Sequence, residues 1–150
     1  MKIDPSLKYG IIAGVGVVAY FLLFYFLSKA FFFSPWVWWS SLLIFIWAMI
    51  KVARPEDDKA DLRKGLSRAF TVYVIANAFF FVFYYLLLTH IEPSMIDLQR
   101  EILASHPMYE GKPEEMDLSL TPEKIFFNYS YSLIGGFFLA LVVAGLLNRK

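Results

Sequence analysis

Apolar and polar residues follow one another in long blocks along this chain. The apolar blocks cover about residues 9–28, 36–53, 69–89 and 124–147. Each approaches the roughly 20 residues that a helix needs to cross a hydrocarbon core about 30 Å thick. The polar connection 54–68 separates the second block from the third. The pattern therefore predicts four transmembrane helices, arranged as two hairpins within one membrane domain, residues 1–150.

Proline and hydroxyl residues mark the starts of two of these helices. Ser34-Pro35 and Thr121-Pro122 each combine a capping side chain with a proline at the first helical position, where no hydrogen bond is lost. The first block has a competing interpretation, because residues 28–30 resemble the cleavage site of a signal peptide. The apolar run before them exceeds the roughly 7 to 15 residues of a signal-peptide core, so we expect a retained first span.

The exterior loop after the third block, residues 90–123, contains one amphipathic stretch. Apolar residues recur at helical spacing between Ser94 and Ala104, and Ser94 with Asp97 resembles a capping box. We therefore expect a short amphipathic helix that lies on the exterior membrane surface.

Composition supports the same architecture. Hydrophobic residues make up 59% of the chain and aromatic residues 19%, with a mean hydropathy of +0.56, more than a soluble domain of this size usually carries. The expected fold class is an all-α integral membrane protein. The absence of cysteine excludes disulfides and thiolate metal sites. The net charge of +1 gives no reason to expect nucleic acid as a partner.

The unequal distribution of basic residues predicts the orientation, because cytoplasmic loops near membrane helices are enriched in Lys and Arg. The N-terminal leader, the central stretch from Lys51 to Arg68 and the C-terminal tail carry ten of the 14 basic residues, and the opposite side carries four. Both termini and the central stretch are therefore expected in the cytoplasm. The exterior segment from Glu92 to Lys124 has a net charge of −5.

Small residues at a spacing of four predict where the helices pack closely. The first span contains Gly10 and Gly14. The fourth span contains a row of small or hydrogen-bonding residues, namely Asn128, Ser132, Gly136, Ala140 and Ala144. Such rows let helix backbones approach each other in lipid. They could form a homodimer seam or pack within one monomer, and we expect the second, because four helices must first pack against one another.

Asn77 is the most polar side chain deep in any predicted span. It lies about 12 Å along the third helix from Ala69, near the middle of the membrane. The antiparallel fourth span brings residues 132–136 to a similar depth. We hypothesise that Asn77 hydrogen-bonds to this part of the fourth span. The alternative is a polar position on a transport path.

The interiors of the predicted spans lack ionisable side chains, which coupled transport and proton relays usually need at depth. His90 and His106 lie in the acidic exterior segment, but their spacing matches no metal site, so we expect solvated side chains. The aromatic run from Phe79 to Tyr85 could suggest a quinone or haem pocket, but no span contains a histidine to ligate haem, and lipid-facing bulk is expected. We predict no catalytic residue, metal or cofactor.

The central stretch from Lys51 to Arg68 carries six of the 14 basic residues and is the expected topological anchor. Pro55 precedes three acidic residues, a composition typical of a helix start, and two basic residues before Gly65 suit a helix end. A short helical elbow between the hairpins is therefore predicted. Its net charge of +2 argues against a strong lipid-phosphate or nucleic-acid patch.

The whole layout resembles a known family. The features that carry the resemblance are Arg63–Phe70 (RKGLSRAF) at the end of the basic connection, Ile91-Glu92-Pro93 after the third span, an exterior helical segment, and a glycine-containing last span with a basic tail. They resemble the bacterial domain-of-unknown-function family numbered 4199, which consists of small four-span membrane proteins. The resemblance implies this architecture and a bacterial inner membrane, and it implies no chemistry.

These observations favour a non-enzymatic accessory or scaffold subunit that lies in the lipid bilayer beside a larger membrane-protein complex. Short loops and an aromatic outer surface fit this function. The alternative is a small homo-oligomeric transporter or channel, which would need polar residues along a shared axis. An enzyme is disfavoured, because no titratable groups converge in the sequence pattern.

Overall fold

The computed structural model describes residues 3–56, 59–105 and 120–149. Within these ranges the chain forms α-helices and one π-helical turn, and no strand. The elements are α1 (Pro5–Leu27), α2 (Lys29–Phe32), α3 (Pro35–Ala53), α4 (Leu62–Leu86) followed by the π-helical turn Leu87–Ile91, α5 (Ser94–Ala104) and α6 (Pro122–Leu147). Four of them, α1, α3, α4 with its π-helical turn, and α6, are long and apolar enough to cross a membrane. The predicted all-α membrane protein with four spans is confirmed.

Short polar side chains start the first and last spans. Asp4 Oδ1 accepts a hydrogen bond from the Ser6 backbone N–H at 2.7 Å, so that α1 begins at Pro5, four residues before the predicted apolar block. Thr121 Oγ1 accepts from the Lys124 backbone N–H at 3.2 Å. This side-chain cap and the proline that follows it confirm the predicted start of the fourth span.

The predicted helical elbow in the central stretch is wrong. Arg54 has an extended backbone with ψ of 138°, as expected for a residue before proline, and residues 55–56 and 59–61 are not helical. The Asp61 side chain instead caps α4, which begins at Leu62. Arg63 and Lys64, which are predicted at the end of the elbow, therefore lie in the first turn of α4.

The two central helices of the bundle are α3 and α4. Each contacts the other and also α1 and α6, whereas α1 and α6 share little or no contact along their described lengths. The bundle has two ends, which we name by one residue of each. The Asn148 end contains the start of α1, the end of α3, the start of α4 and the end of α6. The Glu92 end contains the opposite ends of these helices together with α2 and α5.

An aromatic cluster fills the bundle near the Glu92 end. The Phe21 ring of α1 is 1% exposed, and its centroid lies 4.9 to 5.4 Å from the rings of Phe32, Trp38 and Phe80. Aromatic pairs at these separations attract each other beyond their burial. Trp38 Nε1 also donates to the Phe32 carbonyl at 2.8 Å, which fixes the short helix α2 against α3. The prediction that the aromatic run of the third span faces lipid is therefore wrong for Phe80 and Tyr84, which are buried.

Large apolar side chains cover the outside of the bundle. Trp36 and Trp39, at the start of α3, are 84% and 70% exposed, at a position where indole rings prefer the lipid–water boundary. Phe26 and Phe126 are also exposed. Hydrocarbon is a favourable surrounding for such a surface, which would be poorly solvated in water.

Two glycines let α1 lie directly against α4. A Cβ added at Gly10 would lie 2.9 Å from the Cβ of Ile75, and one added at Gly14 would lie 2.9 Å from the Cβ of Phe79. Both Cβ atoms are fixed to the α4 backbone, so neither can move aside without moving the helix. The close packing of Gly10 and Gly14 therefore occurs within one monomer.

The Gly14→Ala variant is expected to be less stable than the native protein by about 1–3 kcal/mol, because the added methyl group overpacks the contact with α4. Gly16→Ala is the matched control, since its added Cβ would meet Ile44 at an ordinary distance of 3.6 Å. Alanine favours a helix over glycine by roughly 0.5–1 kcal/mol, so this control should be at least as stable as the native protein. Thermal unfolding in one mild detergent measures both. Equal stability of the two variants would contradict the α1–α4 contact.

Candidate functional site

A buried polar side chain in the middle of α4 joins this helix to α6. Asn77 is 4% exposed, and its amide donates a hydrogen bond to Ser132 Oγ. Ser132 Oγ in turn donates to the Tyr129 carbonyl at 2.6 Å within α6. The structure thus brings together Asn77 and the part of the fourth span that the sequence placed at the same depth. The amide nitrogen therefore has a hydrogen-bond partner inside the bundle.

A cavity of about 180 Å³ adjoins the Asn77–Ser132 pair, and all four spans contribute side chains to it. Its polar groups are Asn77, Ser132, Ser41 and Tyr73, and Ser41 Oγ already donates to a backbone carbonyl of its own helix at 2.6 Å. The cavity is smaller than the roughly 300 to 1,000 Å³ of pockets that enclose drug-sized ligands. Hydroxyl and amide groups can hold a small neutral molecule by hydrogen bonds, but they are poor proton carriers near neutral pH.

The row of small residues on α6 faces the bundle over most of its length. Gly136, Ala140 and Ala144 are buried. A Cβ added at Gly136 would lie 2.1 Å from ring atoms of Tyr73, whereas one added at the neighbouring Gly135 would meet nothing within 4 Å. The contact at Gly136 therefore needs glycine.

Asn128, the first residue of the predicted row, does not belong to this contact, because its side chain is exposed. A helix has 3.6 residues per turn, so a row at a spacing of four turns about 40° around the helix at each step. This rotation around the helix axis adds up along the row, so that Asn128 lies outside the interface that Gly136 and Ala140 occupy. The prediction that all five residues lie on one packing ridge is wrong at this position.

A polar network closes the Glu92 end, and the sequence alone did not indicate it. The Glu92 carboxylate accepts hydrogen bonds from the Tyr25 hydroxyl at 3.0 Å and from the Ser94 hydroxyl at 2.6 Å. The Lys29 ammonium lies 3.0 Å from the same carboxylate. The predicted capping box is therefore wrong, because Ser94 bonds to Glu92 and α5 begins without a side-chain cap. An acidic residue directly after a long apolar run was the only signal of this network.

Glu92 is held in its ionised form by these neighbours. Hydrogen bonds from Ser94, Lys29 and Tyr25, in this order, lower the pKa of the Glu92 carboxyl from 4.5 to about 2. The hydrogen bond with Glu92 in turn raises the pKa of Lys29 above its usual value. The pair stays charged throughout the neutral range, so it serves as a fixed link between α2 and the start of α5.

Asn148 closes the opposite end. Its side-chain amide donates to the Ala53 carbonyl at 3.0 Å and to the Ala144 carbonyl at 2.9 Å, and its Oδ1 accepts from the Asp61 backbone N–H at 3.2 Å. One side chain thereby satisfies terminal backbone groups of three helix ends. A Cβ at Gly65 would lie 2.6 Å from this amide. Gly65, predicted to end a helix, instead leaves the space that the Asn148 side chain occupies.

The described residues 3–56, 59–105 and 120–149 contain no group of three or more acidic or histidine side chains that could hold a metal ion. His90 is exposed, and its ring lies edge-on to that of Tyr85 at a centroid distance of 5.9 Å. His106 lies outside the described residues.

Glu92→Gln is expected to lower the midpoint of thermal unfolding at neutral pH, because glutamine cannot pair with the charge of Lys29. The lowered pKa means that the ionised carboxylate stabilises the folded protein above about pH 4.5 and loses this effect as the pH falls toward 2. The difference between the native protein and the variant should therefore shrink over this interval. Glu101→Gln, at an exposed position of α5, is the control and should show no such convergence. A pH-independent difference for Glu92→Gln would contradict the ionic link.

Comparisons with known proteins support the architecture of the chain and assign no chemical activity to it. No curated protein matches the chain. No solved structure matches it either. The model of one family, described as "Protein of unknown function (DUF4199)", matches residues 8–149, which is nearly the whole chain. The four-span bundle agrees with the architecture that the sequence resemblance implied, and the chain belongs to the DUF4199 family.

Proposed function

We propose that the protein is a non-enzymatic accessory or scaffold subunit of a larger complex in the bacterial inner membrane. The observation that carries this proposal is that polar side chains inside the bundle hydrogen-bond to one another or to backbone carbonyls. Asn77 pairs with Ser132, and the Tyr129 hydroxyl donates to the Val74 carbonyl at 2.9 Å. A transport path would instead need polar groups that are free to bind a passing solute.

The two closed ends also support a structural function. The Glu92 network links α1, α2 and the start of α5, and Asn148 links the ends of α3 and α6 to the start of α4. These links hold the helices in one arrangement and leave the outer surface as the part of the protein that is available to a partner.

The outer face of α6 is the surface that we propose for the partner. This helix is the least buried of the four spans. It exposes Tyr131, Phe138 and Gly135 side by side, and the space beside Gly135 is open. Aromatic residues beside a small residue allow another helix to approach closely.

The alternative function, a small homo-oligomeric transporter or channel, would use the same face. Asn128 and Tyr131 are exposed there and could line an axis shared by several copies. Polar side chains at a lipid-exposed position favour a protein or water contact over hydrocarbon. This observation is the one that favours the alternative.

The orientation that we propose places the Asn148 end, with both termini, in the cytoplasm. The bias of ten basic residues against four supports it. The α5 helix, with a polar and an apolar face, would then lie on the exterior surface.

Purification of the full chain in mild detergent is expected to yield a membrane-protein partner in fixed stoichiometry, which native mass spectrometry can measure. Gly135→Leu fills the open space on α6 and should reduce the partner yield without lowering thermal stability. Val15→Leu, which changes an exposed position of α1, is the control and should leave the yield unchanged. A homogeneous homo-oligomer that conducts ions in liposomes would contradict the proposal and favour the channel.

Single-cysteine labelling tests the orientation without background, because the chain has no cysteine. Leu103→Cys on α5 should react with a membrane-impermeant maleimide on intact cells. Leu62→Cys at the Asn148 end should react only after the membrane is opened. Both residues are exposed and uncharged, so neither change alters the basic-residue count. The reverse labelling pattern would show that the charge bias gave the wrong orientation.

A further inference from the structure

A cavity of about 230 Å³ opens at the Asn148 end, between the end of α3 and the start of α4. Four basic side chains and two acidic ones are among the residues that line it. They are Arg54, Lys59, Lys64, Arg68, Glu56 and Asp61. The cavity is below the size of pockets for drug-sized ligands, so it suits one small charged group.

The acidic side chains of this cavity are already engaged. Asp61 Oδ1 accepts from the Lys64 backbone N–H at 3.1 Å as the cap of α4. Glu56 binds Arg68 at 2.9 Å through one oxygen and Lys64 at 3.3 Å through the other. Hydrogen bonds from Arg68 and then Lys64 lower the pKa of the Glu56 carboxyl below its usual value, so it is ionised at neutral pH.

The other two basic side chains of the lining are Arg54 and Lys59. Among the described residues, neither Arg54 nor Lys59 has a side-chain ion pair. Asp57 and Asp58 lie outside the described residues. The described lining therefore carries four basic and two acidic side chains, and both acidic ones are engaged with α4.

We propose that this cavity binds a phosphate group, with Lys64 and Arg68 as its primary contacts and Arg54 and Lys59 as additional positive charge. Arginine and lysine bind phosphate and carboxylate oxygens by the same charge-assisted hydrogen bonds. The Glu56 carboxylate occupies the position between Lys64 and Arg68 that the phosphate oxygens would take, and binding displaces it.

The location of the cavity fits two sources of phosphate. It lies where α3 ends and α4 begins, at the boundary between hydrocarbon and water, where basic pockets between spans bind anionic lipid headgroups. The same opening is accessible to soluble phosphate. The lipid headgroup and soluble phosphate present the same phosphate oxygens to Lys64 and Arg68. Only the headgroup requires that a lipid be present.

The test is a thermal-shift titration of the purified full chain in an uncharged detergent. The probes are inorganic phosphate, phosphatidylglycerol in mixed micelles, and phosphatidylcholine as a zwitterionic lipid. A ligand that binds only the folded protein raises the unfolding midpoint by an amount that grows with the logarithm of its concentration above Kd, and the titration curve yields an apparent Kd. We expect this concentration-dependent rise with inorganic phosphate or phosphatidylglycerol and no rise with phosphatidylcholine. A rise with inorganic phosphate indicates a soluble ligand, and a rise with phosphatidylglycerol alone indicates a headgroup.

Variants separate a built site from general attraction by positive charge. Lys64→Gln and Arg68→Gln should each weaken the apparent Kd about tenfold, the size expected for one charged hydrogen bond. Arg63→Gln removes the same charge from the same turn of α4 but outside the cavity, and it should leave the Kd unchanged. Glu56→Gln removes the competing carboxylate and should tighten binding.

Three outcomes would overturn the proposal. The first is no concentration-dependent rise of the unfolding midpoint with either phosphate probe. The second is an equal loss of affinity in Arg63→Gln and Lys64→Gln, which would indicate a diffuse charge effect. The third is weaker binding by Glu56→Gln. If Lys64→Gln or Arg68→Gln fails to fold, the opposite behaviour expected for Glu56→Gln and Arg63→Gln still decides the question, because both change exposed side chains.

Discussion

The close approach of two helices to α4 is the constraint on which the bundle depends. Apolar side chains gain nothing by leaving hydrocarbon, so helices in a membrane associate through tight contact and hydrogen bonds. The α1 helix supplies Gly10 and Gly14 to this contact, and α6 supplies Gly136. A Cβ at any of these positions would overlap an α4 side chain. Bulky residues on the other faces of α1 and α6, such as Phe26 and Phe126, are left on the outside and contribute to the aromatic surface of the protein.

Polar side chains at the two ends of the bundle join the helices by hydrogen bonds, in addition to the glycine contacts. Tyr25 and Glu92 are 67 residues apart in sequence, and Asn148 and Ala53 are 95 apart, yet each pair is joined by a hydrogen bond of 3.0 Å. Helix ends leave backbone groups without intrahelical partners, and these groups must find partners before they enter a poorly solvated region. Asn148 supplies such a partner to several ends at once.

The sequence predicted what depends on local pattern. The lengths of the spans and the cap at Thr121 follow from runs and short motifs, and the depth of Asn77 follows from helix rise. It failed where a distant partner decides the structure. The local pattern predicts a helix end at Gly65, but Gly65 lies in α4 and leaves room for Asn148. The pattern could not show this, because Asn148 comes from the other end of the chain. The network around Glu92 had no local signature beyond the acidic residue itself, since Tyr25 and Lys29 come from separate elements.

The central stretch shows why a summed charge is a poor guide to a folded surface. Its net charge of +2 counts every acid as if it opposed every base. In the folded chain Asp61 caps a helix, and Glu56 is held between Lys64 and Arg68. An acid in a cap compensates backbone dipoles, and an acid between two bases orients them toward one point. Lys64 and Arg68 therefore converge on one point, now held by Glu56, which the composition does not reveal.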